Sequence, residues 1–222
     1  MAHLPIDHSD QPIRLFKSDF LEFFTHITPA AVLAIWLPVA GFVLFRSLRA
    51  AGPGFPSYLP LGFLAGLALW TFAEYTLHRF VFHFRPRNAV QAKIVFLFHG
   101  IHHAQPQIKT RLVMPPVVSV PMAVIFYLLF ITVVGRWLNA PLWVDPLFVG
   151  FIIGYLIYDM IHYATHHFPM RSGIWKALKR HHMKHHYKTP DELFGVSSPF
   201  WDVVFDTLPE EGGTRLGLEQ NR

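Results

Sequence analysis

Four apolar stretches, at residues 28–45, 58–77, 113–134 and 142–161, limit what this chain can fold into more than any other feature. Each is close to the roughly 20 residues an α-helix needs to cross a bilayer. In lipid the backbone must satisfy its own hydrogen bonds, and within a single segment only a helix does so. The expected fold is all-α and integral to a membrane, with four transmembrane helices. Composition agrees, with 15% charged residues against about 25% in soluble domains. Connections 46–57 and 135–141 are short, whereas 84–112 and 168–222 are long and polar. Residues 1–23 lack the basic, apolar and cleavage regions of a secretory signal. The 16–24 stretch mixes aromatics with Lys17, Asp19 and Glu22 and reads as a short interfacial helix.

The net charge of +5 is a topology signal. On the four-span scheme sixteen of the 19 Lys and Arg residues fall on one side, leaving Arg46, Arg49 and Arg136 on the other. By the positive-inside rule both termini and the 84–112 loop are cytoplasmic. No nucleic-acid partner is needed to account for the basic balance. A bacterial inner membrane and an endoplasmic reticulum membrane fit equally well.

Twelve of the 15 histidines lie between His78 and His186, in four clusters: His78 and His83; His99, His102 and His103; His162, His166 and His167; His181, His182, His185 and His186. On the four-span scheme every cluster falls on the same face, forming a histidine-rich cytoplasmic cap. Unpaired buried imidazoles are costly, so such density on one face points to a shared metal site. His162 and His166 share a helix face, and each H-x-x-H-H trio also fits one face if helical. His78 and His83 are about 140° apart on an ideal helix, so either the helix distorts between them or they reach different metals. Glu74 and Asp159 would be expensive near a span and are expected to accept the outer N–H of ligand histidines. His167 and His181 stay unassigned, and His3, His8 and His26 are left out.

Ten candidate ligands (His78, His83, His99, His102, His103, His162, His166, His182, His185 and His186) exceed what one ion can take, so two metal ions are expected. With no cysteine in the chain, the ligands are nitrogen and oxygen, which suits iron, zinc, copper or nickel. At the mouth of apolar helices the substrate is a lipid chain, and attack on its unactivated C–H bonds requires a redox metal with O2 as co-substrate. Iron is the expected metal. Zinc competes for such a site and would leave a purified sample inactive.

The strings Glu74-Tyr-Thr-Leu-His-Arg-Phe-Val-Phe-His83, His99-Gly-Ile-His-His103, Arg111-Leu-Val-Met-Pro-Pro116, Tyr158-Asp-Met-Ile-His162, His182-Met-Lys-His-His-Tyr-Lys188 and Phe194-Gly-Val-Ser-Ser-Pro-Phe-Trp-Asp202 resemble the fatty acid hydroxylase superfamily. The resemblance is closest to its fatty acid 2-hydroxylase (sphingolipid alpha-hydroxylase) branch and covers residues 58–208 of a single membrane-embedded domain, 1–222, with 1–27 as an N-terminal cytoplasmic segment. It places the family's metal ligands on the ten histidines named above. It also implies hydroxylation at C2 of a fatty acyl chain, free or in a sphingolipid. The first 23 residues are too few for a fused cytochrome b5 domain, so the expected electron donor is a separate cytochrome b5-like or ferredoxin-like protein. Tyr158, Tyr163, Tyr187 and Trp201 are expected near the head-group pocket. Sterol desaturation, sterol methyl oxidation and carotenoid hydroxylation would use nearly the same histidines and remain alternatives. From another class, so does a membrane metal-binding or transport protein, although the mid-spans carry almost no polar ligands.

Overall fold

The computed structural model describes residues 6–209; His3 lies outside the described residues. Every regular element within them is helical. A single turn, α1 (Asp19–Phe23), is capped by Ser18 and exposes Phe20 and Phe23. It occupies the centre of the expected interfacial stretch. Next comes α2 (Pro29–Ala51), opened by Thr28, whose side chain accepts from the Ala31 N–H, and by Pro29, whose missing N–H costs nothing in a first turn. This helix continues past the expected boundary at 45. Arg46 remains helical because it donates to Asp145 and Tyr127, tying α2 to two later helices. Gly52, at φ 69°, then ends it.

The third helix, α3 (Tyr58–Thr76), runs into a π turn over Leu77–Phe82. Short α4 (Ala89–Val95), a π turn at Phe96–Gly100, and α5 (Ile101–Ala104) make up much of the long polar connection. The remaining long helices are α6 (Pro116–Phe130), extended by a π turn over Ile131–Trp137, and α7 (Val144–His167). The C-terminal part holds α8 (Gly173–Tyr187) and α9 (Phe200–Val204).

Among the described residues three helical runs are long and apolar enough to cross a membrane: Pro29–Ala51, Lys109–Trp137 and Pro141–His167. α3, the second of the four expected spans, is not among them; its Thr71, Glu74 and Tyr75 lower its mean hydropathy. It is instead bound tightly to α7, the buried centre of the bundle. A Cβ on Gly66 would lie 2.0 Å from the Leu147 carbonyl oxygen, one on Gly150 2.0 Å from that of Phe63, and one on Gly154 2.6 Å from Trp70 Cβ. Small residues thus let the two backbones touch, as in membrane helix pairs. Trp70 packs edge-on against Phe151 and Tyr155 beside this seam.

The ends of the helices are fixed by contacts. Tyr58 meets Trp143, and Gly62 faces Pro146, at one end. At the other, Ile27 N–H donates to the Thr110 carbonyl at 2.8 Å, setting the start of α2 beside the segment that leads into α6. α2 and α6 therefore begin, and α3 and α7 finish, at the end that carries the histidines.

The seam gives a sharp expectation. Gly150→Val should push α3 off α7 and destabilise the protein by about 1–3 kcal/mol or more. Gly41→Ala, whose Cβ meets nothing within 4 Å, should be neutral. Thermal unfolding of detergent-solubilised protein, followed by size-exclusion chromatography, reads both.

Candidate metal centre

The ten histidines converge on two points. His78, His83, His99, His103 and His185 form one group; His102, His162, His166, His182 and His186 form the other, and in each the nearest ring nitrogens all lie within 4.8 Å of one another. All are buried except half-buried His166. His78 and His83 share a group because the helix distorts between them. The Leu77–Phe82 segment is a π turn, closed by the His83 N–H donating to the His78 carbonyl at 3.1 Å. A π turn bonds residues five apart, so these two rings stand on one side, with centroids 4.9 Å apart.

The two trios do not each serve one group, as a shared helix face would have it; they divide. His99 and His103, four apart, go to the first group and His102 to the second. In α8, His182 and His186 go to the second group and His185 to the first. Each H-x-x-H-H string therefore lies along the gap between the groups. Its outer pair faces one side and its middle residue the other, and the two strings are used in opposite senses.

The donor set fits a pair of metal ions. Nε2–Nε2 separations are 3.1 Å for His78–His99 and His99–His103, and 2.9 Å for His102–His162, His102–His186 and His166–His182. Two imidazoles bound at right angles to a metal at about 2.0–2.1 Å would be about 2.9 Å apart. His78 and His185 donate Nδ1–H to the carbonyls of Phe194 and Glu192, at 2.6 and 2.7 Å. In the neutral tautomer this leaves the Nε2 of each as a lone pair aimed inward. Burial first, then the proximity of neighbouring imidazoles, holds His99, His102, His182, His185 and His186 well below the ordinary histidine range, so they are neutral donors at pH 7. The outer nitrogens of His83, His102 and His182 are buried with no hydrogen-bond partner among the described residues.

The carboxylates do not touch the histidines as expected. Glu74 accepts from Val196 N–H, Ser197 N–H and the Ser197 hydroxyl. Asp159 accepts from Met114 N–H and the Tyr155 hydroxyl. Backbone N–H groups compete well for a buried carboxylate, and α3 and α7 direct both side chains at loops. Glu74 therefore acts one step back, by holding the loop whose Phe194 carbonyl orients His78. Asp202, not singled out from sequence, holds the same loop: it accepts from Phe194 N–H and Gly195 N–H, at 2.7 and 2.8 Å, and pairs with His181 at 3.0 Å. Burial alone would raise the Asp202 carboxyl, but the hydrogen bonds from His181, Thr207 and Gly195 hold it below its ordinary range. The only sequence signal for this role was its place in the Phe194–Asp202 string. His167 belongs to neither group and packs on Tyr163. His8 and His26 also lie outside both groups.

Beside the histidines opens an apolar cavity of about 250 Å³. His99, His102 and His162 line it, and Leu97, Phe98, Val117 and Val118 are among its apolar walls. Of the four aromatics expected near a head group, only Tyr158 lines it. Trp201 instead donates to Thr71 at 3.0 Å.

Residues 63–207 match the model of the fatty acid hydroxylase family. The chain belongs to that family. This hydroxylase is 38% identical over 208 residues to a dihydroceramide fatty acyl 2-hydroxylase of Arabidopsis thaliana, covering 94% of this chain and 84% of that protein. It is 34% identical over 235 residues to the fatty acid 2-hydroxylase of Mus musculus, covering 97% of this chain and 61% of that one. Its fold is also similar to the solved structure of full-length scs7p, in which only the hydroxylase domain is visible. The TM-score is 0.77 at 36% identity, over 86% of this chain and 70% of that one.

The division of the trios makes adjacent histidines of the hydroxylase separable. His102→Ala and His103→Ala should each lower bound metal from two ions per chain to about one, and the double variant to none. His167→Ala should leave two. Elemental analysis of purified protein measures all four. Asp202→Asn should weaken metal retention about 10-fold, in the range for groups that orient ligands, measured by competition with a chelator.

Proposed function

We propose that this chain is a two-iron, O2-dependent hydroxylase that acts at C2 of a fatty acyl chain, free or within a sphingolipid. The observation that carries the reading is the apolar cavity lined by histidines of both five-membered groups, in a chain 38% identical to a dihydroceramide fatty acyl 2-hydroxylase. All ten histidines serve as metal ligands in this reading, and Glu74 and Asp159 support the loops around them. The balanced reaction takes an acyl CH2 beside the carbonyl, O2, two electrons and two protons to the 2-hydroxy acyl product and water. When bound, the two irons supply the reductive activation of O2 that a C–H bond of this strength requires.

The chain's own residues do the rest. Five neutral imidazoles hold each ion. Leu97, Phe98, Val117 and Val118 bind the acyl tail by excluding water from it, and the head group stays at the histidine end. Four spans, with both termini and the histidine cap on the cytoplasmic side, follow from the Lys and Arg distribution, with α3 crossing as a partner of α7. On this topology the whole of 1–222 forms one membrane-embedded domain with 1–27 at the cytoplasmic surface. The electrons arrive from a carrier protein of cytochrome b5 or ferredoxin type.

Lipid profiling of cells expressing the wild-type chain or the His102→Ala/His103→Ala variant tests this. Only the wild type should raise 2-hydroxy acyl lipids, and growth under 18O2 should place one labelled oxygen at C2. Iron-reconstituted protein should turn over, and zinc-loaded protein should not. Unchanged 2-hydroxy acyl lipids in wild-type cells would overturn the reading.

A further inference from the structure

The cavity beside the histidines is apolar along most of its wall, but one cationic residue lines it. Among the described residues that line it, Arg111 is the one Lys or Arg. Its side chain is 4% exposed. The far edge of the guanidinium is held by the N-terminal segment: Nη1 donates to the Ile13 carbonyl, Nη2 donates to Glu22, and Nη2 also lies 3.0 Å from His26 Nε2. Nε is buried and has no hydrogen-bond partner. A buried donor on a charged group left unpaired is costly, and such an atom calls for an explanation.

The segment that clamps Arg111 is itself secured. Glu22 also accepts from Leu15 N–H and Phe16 N–H, at 2.9 and 2.8 Å. Gln105, two residues past His103, accepts from Ile13 N–H at 2.8 Å and donates to Asp7 and the Gln11 carbonyl. The same segment supplies Leu15, Phe16, Phe24 and Thr25 to the cavity wall. The guanidinium is therefore fixed in place with its Nε edge left over.

We propose that Arg111 is the positioning residue for the acyl head group, donating Nε–H to the oxygen on C1 and so setting C2 in register with the histidines. The proposal deepens the hydroxylase reading and rests on it. Reaction at C2 puts the carbonyl carbon one bond from the reacting carbon, so its oxygen must lie close to the histidines that line the cavity. The apolar wall cannot tell one methylene from the next along a tail. A fixed donor at the carbonyl supplies the reference point from which C2 is counted. Carboxylate and amide oxygens share this acceptor chemistry, and a cation serves either.

The test uses full-length, metal-loaded, oxidised protein in nanodiscs without an electron donor, so that binding is read apart from turnover. Arg111→Lys keeps a positive charge for Glu22 but has no Nε–H. Competition binding is measured with palmitic acid, with N-palmitoyl-dihydrosphingosine, and with hexadecane as a chain that lacks the oxygen. Arg111→Lys should weaken the acid, the amide or both by about tenfold or more and leave hexadecane unchanged, with metal content still at the wild-type level. The arm that weakens identifies the head group. With donor added, hydroxylation should spread from C2 to C3. Equal affinities of the variant and wild type for every ligand, with product still confined to C2, would overturn the proposal and leave Arg111 as a tether for residues 13–22. If Arg111→Lys fails to fold, the Glu22→Gln/Arg111→Gln pair removes both charges together and should show the same selective loss; no loss there overturns the proposal as well. Wild type that binds both acyl ligands better than hexadecane yet forms no hydroxylated product would count against the hydroxylase reading alone.

Discussion

Ten imidazoles, nine of them buried, bring their inner nitrogens within 4.8 Å in two groups, and wherever lone pairs meet there they repel unless positive charge lies between them. The Nε2 atoms here approach to 2.9–3.2 Å in pairs, while carbonyls of the 192–194 stretch hold the outer nitrogens of His78 and His185 and so decide which way those rings face. The cost of bringing the rings together without a metal is what the rest of the fold withstands. Metal binding and folding of the histidine cap are in that sense one free energy.

That constraint explains two unusual features of the backbone. The glycine seam between α3 and α7 allows the helices that carry His78 and His162 to run with touching backbones, which places their ends close enough for both to face one pair of sites. The π turns at Leu77–Phe82 and Phe96–Gly100 then rotate the chain where a regular α-helix would aim a histidine elsewhere. Interruptions of this kind recur at functional sites. Glu74 and Asp202 complete the frame by holding successive halves of the Phe194–Ser197 loop.

Much of this was legible in the residue order. Helical, membrane-embedded character followed from apolar length, and the ten histidines were separable from His8, His26 and His167 by spacing and by their place at the ends of apolar runs. The acidic partners were not legible. Glu74 and Asp159 lie one helical turn from histidines, so direct contact was the simplest expectation. Yet a carboxylate on a helix reaches whatever loop packs above it, and loops at 114 and 196 come from distant parts of the chain. Tyr163, Tyr187 and Trp201 do not line the apolar cavity, since their surroundings depend on packing across elements.

The sequence by itself determined which histidines gather, the all-helical class and the end of the bundle at which they gather, because each depends on residue type and on local periodicity. Only the tertiary structure decided which five histidines share a site, how each H-x-x-H-H string divides between the two, and which carbonyls and carboxylates stand behind them. Those choices rest on where α3, α5, α7 and α8 cross, and separations between rings on different helices are not encoded in any one stretch of chain. The four histidine clusters could be read as a single metal site from their order alone, but two groups of five appear only once the helices are packed.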